Sequence, residues 1–243
     1  MTRERKGHYH PITIAIRDIE RIFRGMGFSI ASGREVETEY YNFDALTIPK
    51  DHPARDLWDT FWLKDGRLLR THTSPVQVRH MESHKPPIAI IAPGKTYRYE
   101  ATDATHEAQF YQVEGLLIDS DVTLANLRAV LAKFLGEFFG TDVSVRLRPS
   151  YFPFVEPGVE VDMSCFKCSG GGEQCSVCKG SGWVEIMGAG MVHPKVLSGV
   201  GIDPRRFQGF AFGAGIERLV MLKYGVDDIR VFHDGDLRVV NQF

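Results

Sequence analysis

The chain has 243 residues, 43% hydrophobic and 25% charged, enough to bury a sizeable core in one large domain or two small ones. Its 29 Lys and Arg against 31 Asp and Glu leave a formal charge of −2, which excludes a global basic field for nucleic acid, so any RNA contact must be local or shared with a partner. The N-terminus MTRERKGHYH lacks the apolar core of a secretory signal and the longest apolar run, Ile88 to Ala92, is too short to span a bilayer, so no membrane partner is expected.

In chain order, HPITIAIRDIERIFRGMGF predicts a first helix over residues 11–27, because Ile12, Ile16, Ile19, Phe23 and Met26 recur on one face at the helical period. Pro11 suits its first turn, and Gly25 and Gly27 mark its end. Residues 40–62, YYNFDALTIPKDHPARDLWDTFW, read as a long ordered loop. RLLRTHTS, PIAIIAP, KTYRYEA and QFYQVEGLLI then read as strands. A second helix is predicted from Thr123, an N-cap, to Gly140, with Leu124, Leu127, Leu131, Phe134 and Phe138 as its buried stripe. VSVRLRPSYFPF, VEVDMSC and GWVEIMGAGMV are further strands, and a glycine-rich turn, GFAFGAG, opens a third helix carrying IERLVMLKYG. Runs of strands with helices at the ends and in one long gap give an α+β class with a mainly antiparallel sheet.

The segment KTYRYEATDATHEAQFYQVEGLLID carries the most chemistry. Strand alternation sets Arg98 and Glu100 on one face, and Phe110, Gln112 and Glu114 on one face opposite Tyr111, Val113 and Leu117. A single half-polar strand is ordinarily a solvated sheet face. Here two adjacent strands gather an arginine, carboxylates, an amide and a ring, and the joining loop adds His106. An arginine fork fits a phosphate, an aromatic face a base, and a carboxylate an ammonium. THTSP offers His72 and Ser74 at the end of another strand. RPSYFPFVEP places Phe152 and Phe154 two apart, so that both rings point one way and Glu156 continues that face. Two phenylalanines are ordinarily core, but the flanking Pro149, Pro153 and Pro157 favour an edge strand and a pocket wall. GFAFGAGIER fails as a phosphate loop, since it has no GK[ST] and Arg218 stands where a dinucleotide fingerprint needs glycine. A bare cation in a first helical turn is disfavoured by the macrodipole, and a bound nucleotide would compensate for it.

All four cysteines lie in CFKCSGGGEQCSVCKG. Two CxxC pairs at this spacing predict a metal site in which Cys165, Cys168, Cys175 and Cys178 supply four thiolates to a tetrahedral zinc. An iron–sulfur centre fits the knuckle-like turns less well. Four sulfurs leave no position for water, so the site is read as structural. The CSVCKGSG half is similar to a chaperone zinc repeat that needs more copies than are present. An RNA-binding knuckle is a better rival, but only Phe166, Lys167, Lys179 and Trp183 line the loop. Cysteines confined to one motif suit a reducing cytoplasm.

Taken together, these residues resemble the alpha subunits of bacterial phenylalanyl-tRNA synthetases, a class II aminoacyl-tRNA synthetase family, from about His10 to Phe243. The helix at 11–27 with GFSIASGREVE is similar to the first class II motif, YRYE with HEAQFYQVEG to the second, and GFAFGAGIERLVMLKYG to the third. NFDAL, HPAR, RTHTSPVQ, RPSYFPFVEP and GAGMVHP resemble family-specific segments. The resemblance implies a single class II catalytic domain over 1–243, with the zinc-binding hairpin at 163–184 inserted in it. It implies ATP-dependent activation of phenylalanine and its transfer to tRNA(Phe).

The resemblance also implies site residues. Arg98, Glu100, His106, Phe110 and Arg218 would bind ATP, with Arg98 on the α-phosphate and Phe110 and Arg218 sandwiching adenine. Arg98 and Arg218 would be the catalytic pair. His72, Ser74, Gln112 and Glu114 would hold the amino acid's polar end. Phe152 and Phe154 would meet its ring edge to face, and Ala211 would leave room at the pocket's end. Glu156 would help bind Mg2+. The implied partners are a beta subunit, in an assembly of two alpha and two beta chains, and tRNA. Members of this family carry an N-terminal helical arm that contacts tRNA, and this chain starts just before the first motif helix, so weak or absent tRNA binding by it alone is expected. Two other readings stay open: a paralogue that passes its amino acid to a non-tRNA acceptor, and a noncatalytic RNA- or partner-binding module.

Overall fold

The computed structural model describes residues 7–50, 60–168 and 175–243. HPAR and the tri-glycine between the cysteine pairs lie outside the described residues. A seven-stranded sheet organises the rest. Its strands are β1 (Ser29–Ile30), β4 (Ile88–Tyr97), β5 (Gln109–Asp119), β6 (Val145–Phe152), β7 (Val155–Ser164), β8 (Trp183–Val192) and β9 (Gln208–Gly215). Their order is β1-β4-β5-β9-β8-β7-β6. Only the β1–β4 pair is parallel. The other five pairings are antiparallel. A separate two-stranded ribbon joins β2 (Val36–Glu37) to β3 (Leu68–Leu69).

The first helix, α1 (Pro11–Gly25), begins at His10, whose Nδ1 accepts from the Ile12 amide at 3.2 Å, with proline where no donor is needed. It buries Ile12, Ala15, Ile19, Ile22 and Phe23. The long helix α4 (Leu124–Phe139) starts in a capping box between Thr123 and Asn126 and ends at Gly140, whose φ of 70° is left-handed. Leu127, Leu131, Phe134 and Phe138 are buried as predicted, joined by Leu135, while Leu124 is half-buried. Each such side chain stabilises by roughly 1.5–3 kcal/mol. With α6 (Ile216–Tyr224), these helices cover one face of the sheet. Close approach is needed there: a Cβ on Gly115 would overlap the Phe212 ring, which itself stacks on Phe23 at 5.5 Å. The opposite face is covered only in part, by a second cluster in which Met81, Val196 and Leu197 meet Ile88, Ile90, Leu116 and Ile118.

Three expectations are corrected. RLLRTHTS is a strand only at Leu68–Leu69; Arg70 to Thr73 form a turn, and Ser74–Ser83 is a helix, α3, because Pro75 in its first turn has no amide hydrogen to offer a sheet. GFAFGAG is not a turn but strand β9, with Phe210, Phe212 and Ala214 buried on alternate positions. The 40–62 stretch is not all loop: a one-turn helix, α2 (Glu39–Asn42), and a 3-10 turn at Asp44–Leu46 seat Phe43, Leu46 and Ile48 in a small cluster with Leu68 and Val78. Residues 51–59 of that stretch lie outside the described residues. Two further short helices follow, α5 (Pro194–Gly199) and α7 (Leu237–Val240). Among the described residues no helix is long and apolar enough to cross a membrane.

Candidate active site

The other face of the sheet, covered in part by α3 and α5, carries two adjoining hollows. The first has a volume of about 280 Å³. Strand parity sets Gln112 and Glu114 of β5 in its floor, beside Ala211 and Gly213 of β9 and Gly188 of β8. The turn before α3 brings His72 and Ser74 to its polar end, and Phe152 and Phe154 wall its apolar side. Those rings lie 6.1 Å apart with planes 27° from parallel. The route to this pairing differs from the predicted one. Phe152 ends β6, Phe154 sits in the tight turn before β7, and Phe152 pairs with Val155, so a hairpin and not one strand's alternation brings the rings together. The Thr47 hydroxyl donates to the Pro153 carbonyl in that turn.

The second hollow, of about 180 Å³, is lined by Arg98, Glu100, His106, Phe110 and Arg218. Arg98 and Arg218 therefore share one cavity, and Arg98 lines both hollows. Strand β4 stops at Tyr97, so Arg98 and Glu100 stand in the loop beyond it and not in a strand as expected. The Arg98 Nε donates to the Thr71 carbonyl at 3.2 Å. His106 is held by Asp103 through Nδ1 at 3.0 Å.

The family model described as tRNA synthetases class II core domain (F) matches residues 1–243. The chain is 55% identical over 239 residues to the phenylalanine–tRNA ligase alpha subunit of Bacillus subtilis (strain 168), covering 98% of this chain and 69% of that one. It is 57% identical over 244 residues to the one from Dehalococcoides mccartyi (strain CBDB1), covering 98% and 70%. The chain belongs to the phenylalanine–tRNA ligase alpha-subunit family. A solved pyrrolysyl-tRNA synthetase from Desulfitobacterium hafniense superposes with a TM-score of 0.69 over 93% of this chain and 74% of its own, at 18% identity, and shares the fold. Class II synthetases use ATP and Mg2+.

In this ligase alpha-subunit domain the electrostatics of the first hollow centre on Glu114. It is buried, and accepts from the Thr73 amide at 3.0 Å, the Ser74 hydroxyl at 2.6 Å and the Gln77 amide at 2.7 Å. Burial pushes its carboxyl up to about 6, against the lowering effect of those donors and of Arg70. His72 is held down to about 3 by burial and by the Arg98 charge, so its ring is neutral. Its Nε2 stands 3.0 Å from the Asn42 carbonyl, which can only accept, so Nε2 carries the proton and Nδ1 is an acceptor. The Gln112 Oε1 is buried with no partner among the described residues.

Sequence reasoning missed two groups. Gln77 lies one helical turn after Ser74 and was legible from that spacing once α3 is recognised as a helix. Glu217, 1% exposed, lines the second hollow beside Arg218. Both its oxygens accept from the Tyr111 amide at 2.9 Å, tying α6 to β5, and burial lifts its carboxyl to about 7. Glu156 lines neither hollow; its side chain is exposed and pairs with His193 Nε2 at 3.2 Å.

The four cysteines come together where β7 runs into β8. Their sulfurs all lie within 4.8 Å of one another, with Cys165–Cys175 at 3.7 Å and Cys168–Cys178 at 3.5 Å. Thiolates about 2.3 Å from a tetrahedral zinc stand about 3.8 Å apart, so the set fits that ion. Cys165 and Cys178 belong to the main core, and Phe166 stacks on Phe139 of α4 at 5.0 Å.

Proposed function

We propose that this chain activates L-phenylalanine with ATP and passes it to tRNA(Phe), as the catalytic alpha subunit of a phenylalanine–tRNA ligase. The observation that carries this reading is the pair of adjoining hollows, one apolar-walled with a buried carboxylate, the other arginine-lined, that share Arg98. The chemistry of each is specific. Phe152, Phe154 and Ala211 give the first hollow an apolar end suited to a phenyl ring, and Glu114, Ser74, Gln112 and neutral His72 give it a polar end suited to an ammonium and a carboxylate. Phe110 and Arg218 flank the second hollow as an aromatic face and a guanidinium suited to adenine, with Glu100 and His106 at its rim.

The carboxylate of phenylalanine would attack the α-phosphorus of ATP in line, forming the acyl–phosphate bond and releasing pyrophosphate. The tRNA ribose hydroxyl would then take the acyl group and release AMP. Neither step needs a protein nucleophile. Arg98, which lines both hollows, would hold the α-phosphate against the incoming carboxylate and offset charge as it develops. Magnesium entering with ATP would offset further phosphate charge. Glu156 does not make a site for it alone: one exposed carboxylate paired with a histidine supplies too few oxygens.

The remaining assignments belong to the same reading. Cys165, Cys168, Cys175 and Cys178 hold zinc as a staple across the β7–β8 hairpin, supported by their mutual spacing. The working assembly is two alpha and two beta chains in the cytoplasm, with 1–243 as one catalytic domain and 163–184 as its metal hairpin. Pyrophosphate exchange tests the activity. The complex with the beta subunit should exchange with phenylalanine alone among the amino acids; no exchange, or exchange with a different amino acid, overturns the reading.

A further inference from the structure

Arg70 is 3% exposed and belongs to neither hollow's lining, yet it is the side chain around which three chain segments meet. Its Nε donates to the Lys95 carbonyl of β4 at 2.7 Å, and its Nη1 to the Arg34 carbonyl at 3.3 Å. Its own amide donates to the Glu35 carbonyl at 2.9 Å, and its carbonyl accepts from Tyr97 at 2.9 Å. The guanidinium lies over Gly94, where a Cβ would overlap it. Gly94 pairs with Gln112, and Ala92 with Glu114, so the cation sits on the site face of the sheet, next to the polar end of the first hollow. Among the described residues it makes no direct ion pair. A buried guanidinium that meets only carbonyls is costly, and its field is little screened.

We infer that Arg70 is a positioning residue for the amino-acid hollow: it seats the turn that carries His72 and Ser74, and its charge presents Glu114 as an anion to the ammonium group of phenylalanine. The inference rests on the activity proposed above. Geometry supplies both halves. Arg70 opens the turn, and three groups of that turn and α3, the Thr73 amide, the Ser74 hydroxyl and the Gln77 amide, all donate to Glu114. The charged groups acting on Glu114 are few. Arg70 comes from the turn and Arg98 from the loop after β4. His72 in the turn is neutral, Ser74 and Gln77 on α3 are uncharged, and so is Gln112 on β5. Without Arg70 the turn that brings these donors loses its anchor, and the anion loses one of the two cations near it among the described residues.

The test uses the alpha chain in complex with its beta subunit, comparing wild type with Arg70→Gln and Arg70→Lys by pyrophosphate exchange across pH. Exchange by the wild type with phenylalanine establishes the activity, so a failure of that reading shows in the wild type and a failure of this inference only in the variants. Arg70→Gln should raise the phenylalanine KM roughly tenfold, leave the ATP KM within about twofold, and move the acid limb of kcat/KM for phenylalanine to higher pH. Arg70→Lys should restore the acid limb at least in part, because it keeps the charge and loses the fork. A folded Arg70→Gln with wild-type phenylalanine KM and acid limb overturns the inference. So does an equal rise in both KM values with an unmoved limb, the mark of a merely structural role. If Arg70→Gln does not fold, Arg70→Lys decides through the turn: losing the fork while keeping the charge should raise the phenylalanine KM and leave the acid limb and the ATP KM unmoved, and a folded lysine variant with a wild-type phenylalanine KM, or with equal rises in both KM values, overturns the inference.

Discussion

The guanidinium carbon of Arg98 stands 5.1 Å from the centroid of the Phe110 ring. The pair forms the threshold between the two hollows, with Arg98 also anchored to the Thr71 carbonyl. A cation so near an aromatic face is stabilised by the ring quadrupole. Phe110 therefore has two tasks in the proposed reaction, as a face for the base and as a rest for the arginine that meets the phosphate. Phe110→Leu should raise the ATP KM and lower kcat as well, whereas Arg218→Ala, on the far side of the same hollow, should act mainly on the ATP KM, by roughly ten- to a hundredfold for a lost stacking partner. Exchange kinetics at varied ATP distinguish the two patterns.

Glu114 makes opposite demands on activity and stability. As an ammonium acceptor it must be ionised, so kcat/KM for phenylalanine should fall as pH drops through about 6. Its folded pKa lies above the ordinary 4.5, so the native state binds its proton more tightly than the unfolded chain does. Its contribution to stability is therefore greatest at acid pH and declines as pH rises from about 4.5 through about 6, by on the order of 2 kcal/mol. Glu114→Gln, which cannot titrate, should lose activity by a hundredfold or more while gaining stability relative to wild type between pH 4.5 and 7, as read by urea unfolding; a gap independent of pH would contradict the assignment.

Gly188 tests the phenylalanine wall without touching a polar group. A Cβ there would stand 2.9 Å from the Phe152 ring tip. The ring must move, and the hollow is where it can go. Gly188→Ala should raise the phenylalanine KM several-fold, leave the ATP KM unchanged, and cost about 1–3 kcal/mol of stability as an overpacked position.

Metal removal should be felt well beyond the hairpin. Because Cys165 and Cys178 belong to the main core and Phe166 lies on Phe139, dialysis against a zinc chelator should lower the thermal midpoint of the whole domain in a single transition. Cys175→Ser should do the same in part, with zinc content by atomic absorption falling in step. A native midpoint in metal-free protein would remove the staple from the account.

The sequence made some of this legible and concealed the rest for definable reasons. Helices α1 and α4 announce themselves because only one stripe of each is buried, which leaves a clean period. Helix α3 buries Ser74 to Val78 without a break, so no period survives to betray it. Strand β9 holds three glycines and two alanines in eight residues, a turn composition, because Leu117 and Ile118 crowd Gly209 and the Gln112 and Glu114 side chains crowd Gly213. The site was readable where strand parity alone sets a direction, as for Phe110, Gln112 and Glu114. Phe152 and Phe154 line one hollow by way of a hairpin turn, a geometry that alternation along one strand does not describe. Gln77 follows from Ser74 by helical spacing only once α3 is known to be a helix, and Arg70 and Glu217 matter through what other segments bring to them, of which a one-dimensional pattern carries no trace.

Among the described residues Arg98 alone lines both cavities, so one side chain forms their shared wall. A compound that ties an aryl amino group to a nucleobase through a short inert bridge would then lie in a single furrow and surrender its rotational freedom once. Its grip should exceed that of either half by far more than the halves suggest separately, and trimming residue 98 to alanine should erase most of that advantage.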